Sequence, residues 1–564
     1  MKKKSKKFGS GIVRKFLGSV TLLGLVLCVG SMLSAGTKGD KAKPSCTAIR
    51  GVRVFDGRRV IENTTVLVRG GRIGDMGTAV DVPDDAMVVN GAGRTLLPGL
   101  IDSHAHVLGE GPQQALQFGV TTQVDMFTDF HLLQEFKRQQ AAGPNPGRAD
   151  LVSSGTLATV PGGHGSEYGM AIPTLTRPEE AQAFVDARVA EGSDFIKIIY
   201  GHGSKSPCLD KSTLAALITA AHNRKKLAAV HVENLQDARD AVECHADILA
   251  HAWIDKEPDA AFLKLARGSR VVLIPTLTVI GSVCGLKPGL ALINDPQLKP
   301  LISPAALPGL QREFPGLAVR QENFDRALQI ARTFKKSDLS VLAGTDAPNP
   351  GTAYGASLHQ ELEFLVQAGF TPAEALNAAT ALPAAVFGLG DRGRIAKGLL
   401  ADLLLVEGNP LAEIRATRRI AGIWKDGMAL ETISKITPGK PVEKGNLKIK
   451  LNYSGDGKVD ESHKIIVFLF VSPDFVKGNV MPIGSQTAAA KDGAVTFSDL
   501  TAGNYYTVAV FDKERGYDGQ SGPPPSGASM GMYSTAPSAP GAIKVEGGKT
   551  AEVDLPFNDS LKMP

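Results

Sequence analysis

The chain has 564 residues, 43% of them hydrophobic and 21% charged, enough for about three or four domains and a large buried core. That composition excludes a disordered, collagen-like or disulfide-dense protein. The net charge of +5 does not point to an acidic partner. Lys2, Lys3, Lys4, Lys6, Lys7, Arg14 and Lys15 all fall at the start with no acid among them, and the rest of the chain is mildly acidic.

This basic start precedes the apolar run Leu17–Val29 and the small residues Ser34, Ala35 and Gly36. Ser34 and Gly36 fit the −3 and −1 positions of a cleavage site, so residues 1–36 are expected to be a signal peptide and the mature protein periplasmic or extracellular. The alternative is an inner-membrane anchor over residues 16–37, an uncharged stretch just long enough to span. Apart from Cys28, the cysteines Cys46, Cys208, Cys244 and Cys284 are scattered and lack CxxC spacing. They form neither a disulfide framework nor a cysteine zinc site.

Residues 45–96 alternate short strands with tight turns, among them Ala48–Phe55, Thr65–Arg69, Gly70-Gly71 and Met87–Val89. Similar material returns at 389–435, and the two pieces are expected to pair into one small split β domain, a β-sandwich. Between them, residues 97–388 alternate strands with helices. The predicted strands are Gly99–His104, Val120–Met126, Asp150–Ser154, Asp194–Tyr200, Leu227–Val232, Ile248–Ala252, Val271–Thr276 and Ser340–Thr345. Ser357–Ala368 has a helical apolar face with Gly369 as its stop, and Thr371-Pro372-Ala373-Glu374 opens the next helix with a capping box. Eight strands alternating with helices predict an α/β fold of the (β/α)8 TIM-barrel type. Residues 446–558 read as strands and turns broken by a Gly/Pro/Ser-rich loop over Asp518–Gly541. They are expected to form a C-terminal all-β sandwich of immunoglobulin- or transthyretin-like type.

The chemistry begins at Gly99-Leu100-Ile101-Asp102-Ser103-His104-Ala105-His106. Alternation along an extended strand points His104 and His106 to one side, where a single metal ion can take both imidazoles. Lys197 lies within the apolar strand Asp194–Tyr200, where an ammonium is costly unless something changes its charge. Carbamylation by CO2 would make it an oxygen donor able to bridge two cations; pairing with a buried acid is the alternative. His231 and His251 end two further strands, and Asp346 closes Val341–Thr345. Each alone fits a core histidine or a helix cap; together, on the ends of strands 1, 4, 5, 6 and 8, they form a metal-ligand set.

The segments GLIDSHAH, GVTTQVDM, FIKIIY, AAVHV, ILAHA, AGTDAP and GRIAKGLLADLLLVEGNP resemble the amidohydrolase superfamily over about residues 48–430. PGGHG at 161–165 and GTDAPNPGTAYGASLHQELEFLVQAG at 344–369 are similar to its imidazolonepropionase- and prolidase-like members, the Xaa-Arg or Xaa-Pro dipeptidase-like subgroup. The resemblance implies two divalent metal ions, zinc first among them. His104, His106 and Asp346 would hold one and His231 and His251 the other, with a bridging carbamate on Lys197. A bridging hydroxide would attack the scissile carbonyl, and Asp346 would carry its proton to the leaving nitrogen. His164 in PGGHG would meet the tetrahedral oxyanion or a substrate carboxylate, and Tyr200 and His202 after strand 4 would also meet a carboxylate.

The expected activity is therefore hydrolysis of C–N bonds in a small-molecule or dipeptide substrate. A cyclic-amide hydrolase, lactonase or aminohydrolase on the same fold is the first rival. Deaminase-type sites lack the bridging lysine and place a glutamate three residues after the strand-5 histidine; here Lys197 is present and the glutamate is Glu233. The second rival is a surface or carbohydrate-binding protein with a vestigial barrel, against which the complete ligand set argues. No basic patch interleaved with aromatics supports nucleic-acid binding. Association with a membrane or cell surface would run through the N-terminal segment or the C-terminal domain.

Overall fold

The computed structural model describes residues 46–166, 172–203, 206–314, 319–430, 444–477, 482–500, 503–514, 517, 524–534 and 539–563. The expected signal segment 1–36, the anchor alternative 16–37 and residues 431–435 lie outside the described residues. Apolar and β-branched runs form Thr47–Phe55 (β1), Val60–Arg69 (β2), Arg72–Gly77 (β3), Met87–Asn90 (β4) and Arg94–Pro98 (β5). Gly70 and Gly71, both at positive φ, close the β2–β3 hairpin, as a two-residue turn of matching twist requires. The distant strand Leu403–Glu407 pairs antiparallel with β5, setting Leu404 opposite Leu97. With Ile420–Lys425 and Met428–Ala429 the two pieces make one eight-stranded sheet, packed on Ile49, Val54, Val66, Leu403 and Trp424.

Leu100–Ala105 (β6), Val120–Asp125 (β7) and Asp150–Ser153 (β8) form one parallel sheet. Ile196–Ile199 (β9), Ala228–His231 (β10), Ile248–Ala250 (β11) and Val272–Ile274 (β12) form another in sequential order. The two are joined at both edges. Asp194 N donates to Ser153 O at 2.7 Å and Ala158 N to Lys197 O at 2.8 Å. On the other side Leu342 N donates to Leu273 O at 2.9 Å, and Ser103 N to Ala343 O at 2.9 Å. Ile101, Val124, Phe195, Ala229, Ile248, Val272 and Leu342 share one buried cluster inside this arrangement. The helix Ala356–Gln367 buries Leu358, Leu362 and Leu365 and is followed by Gly369 at φ 96°. Thr371 and Glu374 form the expected capping box ahead of Pro372–Ala378.

The segment expected as an eighth strand, Ser340–Thr345, is not a regular strand. It makes isolated parallel bridges, Leu273 with Val341 and Ala105 with Ala347. Its donors do not alternate along one neighbour: Ala343 N donates to Ala378 O at 2.8 Å, and Thr345 N and Asp346 N both donate to His104 O, at 3.1 and 2.7 Å. The chain then turns at Asp346, φ 60°.

The C-terminal region is all β. Gly445–Tyr453, Ala494–Leu500 and Thr550–Phe557 form a three-stranded sheet. Ile465–Phe470, Gly484–Ala488, Gly503–Phe511, Ser529–Met532 and Ile543–Val545 form a five-stranded one. Leu447, Ile449, Leu451, Val467, Leu469, Phe511 and Leu555 share a core, while Ile466, Phe468, Val508 and Val510 pack on the opposite face. Tyr505 is in that shared core and Tyr506 packs against the opposite face, the alternation expected of a strand. Ser529–Met532 corrects the expectation of an unbroken loop over Asp518–Gly541. Its pairing of Phe511 with Ser529 and Val508 with Met532 comes from a strand far enough away to leave no local signal. Among the described residues no helix is long and apolar enough to cross a membrane.

Lys425 is fully buried at the end of its strand, with Nζ 3.1 Å from Asp150, 3.2 Å from Asp402 and 2.9 Å from Asp426. Burial alone would lower its pKa, but the three carboxylates raise it. The group ties the small sheet to the start of β8. Lys425→Met is expected to leave Asp402 and Asp426 without their cation, while Asp150 stays paired with Arg392, and to lower stability by about 3–5 kcal/mol, read as an earlier urea-unfolding midpoint.

Candidate metal centre

The ends of the parallel strands carry the polar groups. His104 is wholly buried, and its Nε2 lies 3.1 Å from Asp346 Oδ1; His106 Nε2 lies 2.8 Å from the same oxygen. One ligand atom from each of the three falls within a 4.8 Å sphere of separation. The rings of His104 and His251 are 4.7 Å apart and those of His251 and His231 4.6 Å. The four histidines therefore form a continuous row, and Lys197 is buried on the adjacent strand β9. Sequence reasoning placed these six groups on strand ends, and the structure brings them together.

Burial sets the electrostatics. It pushes His104 down to about 3, helped by the nearby Lys197, and His231 down to about 4. His251 is also held well below the ordinary imidazole range, first by burial and then by His231. Neutral imidazoles are the form that ligates a metal. Burial pushes Asp346 up, yet His104 and His106 outweigh it and hold the carboxyl well below its usual range. Lys197 falls to about 8 through burial. Lys197 Nζ and the Nδ1 atoms of His104 and His106 are buried without a hydrogen-bond partner. Each such atom costs about 1–3 kcal/mol, and a donor set of imidazoles, carboxylate and amine in one buried place fits divalent cations.

Several groups that sequence reasoning missed hold this row in place. Asp102 accepts from His104 N at 3.2 Å, Thr345 N at 3.0 Å and Thr345 Oγ1 at 2.7 Å, tying β6 to the segment that carries Asp346. Burial raises it to about 7. Asp125 accepts from Val107 N at 2.7 Å and from Ser153 Oγ. The buried Tyr354 donates to the His106 carbonyl at 2.6 Å. Thr276 Oγ1 lies 2.8 Å from His251 Nδ1. An aspartate inside the apolar strand Leu100–Ala105 was a visible signal for Asp102; Thr276 had none.

The expected substrate residues divide. His164 sits against the row, its ring 5.0 Å from that of His231. Tyr200 is directed to a helix instead, donating to Asp240 at 3.0 Å. His202 pairs through Nδ1 with Asp237 at 2.7 Å. These two are placed among acids, which would repel a substrate carboxylate. Glu233 accepts from Gly203 N at 2.6 Å and lies 3.5 Å from His231 Nε2.

The chain belongs to the amidohydrolase family, whose profile matches residues 95–448. It is similar to the imidazolonepropionase of Deinococcus radiodurans, 26% identical over 388 residues that cover 64% of this chain and 89% of that protein. Its fold is similar to a solved Xaa-Pro dipeptidase with bound methionine in its active site, with a TM-score of 0.57 and 21% identity over 68% of this chain and all of the other. A candidate prolidase from Bifidobacterium longum matches with a TM-score of 0.56 and 24% identity, over 69% of this chain and 95% of the other. Family membership makes the chain a hydrolase acting on carbon–nitrogen bonds.

Lys197 supplies a direct check on the electrostatics. Its folded pKa of about 8 lies below the ordinary 10.5, so between those values the unfolded chain binds more protons and stability rises with pH. Metal-stripped, CO2-free protein is expected to gain stability from pH 8 to 10.5, and Lys197→Met to lose that gain, measured by urea unfolding across the range.

Proposed function

We propose that the chain is a metal-dependent hydrolase of amide or peptide bonds in small substrates, prolidase- or dipeptidase-like, built on a (β/α)8 barrel. The observation that carries this reading is the continuous row of His104, His251 and His231, with Asp346 against His104 and His106 and Lys197 buried on β9. The bonds that join both edges of the two parallel sheets support the barrel. The small sheet, the barrel and the C-terminal sandwich are then three domains.

His104, His106 and Asp346 would hold one ion and His231 and His251 another, with Lys197 carbamylated between them. Imidazole and carboxylate donors suit zinc. Bound ions would supply a Lewis acid for the scissile carbonyl and lower the pKa of water. Burial makes the neutral Lys197 amine accessible near neutral pH; its nitrogen adds to CO2, forming an N–C bond and releasing one proton. The Asp346 carboxylate, kept ionised by the two imidazoles, accepts the proton of the attacking water and returns it to the leaving nitrogen, which departs poorly unless protonated. His164, beside His231, donates to the oxyanion or to a substrate carboxylate. Tyr200 and His202 take no substrate contact in this reading. The N-terminal segment would place the reaction in the periplasm or outside the cell, or at the inner membrane if residues 16–37 stay as an anchor.

The Deinococcus relative favours a second reading. Its name denotes action on an imidazolone, a cyclic amide, and the same ligand set would serve ring opening. Zinc-loaded enzyme assayed on a dipeptide library including Xaa-Pro, N-acyl amino acids, cyclic amides and lactones separates the two. Turnover of dipeptides supports the peptidase reading, turnover of cyclic amides alone replaces it, and failure on every C–N substrate rejects both. Lys197→Ala is expected to lose activity by more than about 100-fold and to regain part of it with short carboxylic acids.

A further inference from the structure

The helix Leu277–Val283 begins just after β12, and Thr276 occupies its N-cap position without a side-chain capping bond. Threonine there would ordinarily accept from the backbone N–H two or three residues on. Instead its hydroxyl lies 2.8 Å from His251 Nδ1. The backbone at Thr276 is left-handed, φ 47°, a costly conformation for a β-branched residue that persists only where its surroundings enforce it.

Those surroundings are Glu361. This residue lies 84 positions beyond Leu277 on the helix Ala356–Gln367 and is wholly buried. It accepts from Leu277 N at 2.9 Å, Thr278 N at 2.7 Å and Thr278 Oγ1 at 2.8 Å. Thr278 N, two residues on, is a donor that an N-cap hydroxyl would otherwise satisfy, and Leu277 N is another first-turn donor with no partner inside the helix.

We infer that Thr276 is a positioning residue for His251, its hydroxyl diverted from helix capping to fix the imidazole, and that Glu361 supplies the cap in its place. The inference rests on the reading of His251 as a metal ligand. His251 Nδ1–H donates to Thr276 Oγ1, which leaves Nε2 with the lone pair and sets the ring plane within the histidine row. Such outer contacts typically change metal affinity by about 10–100-fold.

The test compares full-length Thr276→Gly, Thr276→Val, Thr276→Ser and Glu361→Gln, alone and with Thr276→Val, by zinc content after dialysis against graded chelator and by thermal melting of the metal-free protein. Glycine relieves the left-handed backbone while removing the hydroxyl. Thr276→Gly is therefore expected to melt no lower than wild type yet bind zinc about 10–100-fold more weakly. Thr276→Val should lose affinity equally, and Thr276→Ser should stay within about threefold, well short of that loss. Glu361→Gln should weaken zinc binding on its own and add little to Thr276→Val, since both act through one contact. Wild-type zinc affinity in Thr276→Gly overturns the inference, as does a serine variant no better than valine. If Thr276→Val does not fold, the glycine and serine variants decide alone. A wild-type chain that binds no divalent ion overturns the metal reading itself.

Discussion

Burying Lys197 without a hydrogen-bond partner is the constraint around which the rest of the centre is arranged. An ammonium in that position is expensive, and the strand around it, Ile196–Ile199, is otherwise apolar. The neighbouring groups do little to offset the cost: His104, His231 and His251 are neutral, and Asp346 is already engaged by two imidazoles. A lysine that converts to a carbamate and meets cations removes the penalty. The proposed carbamate would thus account for the position of Lys197 in the same reading that explains the histidine row.

The scaffold serves that row by linking strand ends that are remote in sequence. Asp102 ties β6 to the segment carrying Asp346, and Tyr354 reaches back to the His106 carbonyl. Glu361 organises the turn that holds Thr276 against His251. His106, His251 and the segment carrying Asp346 are thus each held by a buried bond to another element, which is how a site keeps its geometry before anything binds.

Much of this was legible in the chain. Strand alternation put His104 and His106 on one side, and the apolar run around Lys197 marked it as anomalous. Seven of the eight central strands have the expected positions, and the two β-rich pieces pair through Arg94–Pro98 and Leu403–Glu407. What was hidden depends on contacts across long separations. The bond from Glu361 to Leu277 has no local pattern, and the strand Ser529–Met532 exists because Gly503–Phe511 offers it an edge. The apolar sequence of Ser340–Thr345 reads as an eighth strand because it does not show that Ala343 N bonds to Ala378 O, nor that Thr345 N and Asp346 N share the His104 carbonyl. The bonds of Tyr200 to Asp240 and of His202 to Asp237 were hidden for a similar reason, since those acids approach from a helix 35 to 40 residues away.

His104, His106, Lys197, His231, His251 and Asp346 are proposed to form a single two-metal centre bridged by a carbamate. Its most direct test is metal analysis of the purified protein together with a 13C spectrum after incubation with labelled bicarbonate. Two divalent ions per chain are expected, with a carbamate resonance that disappears in Lys197→Ala. A fully metallated protein with no carbamate signal, or a folded protein that retains no divalent ion, would contradict it.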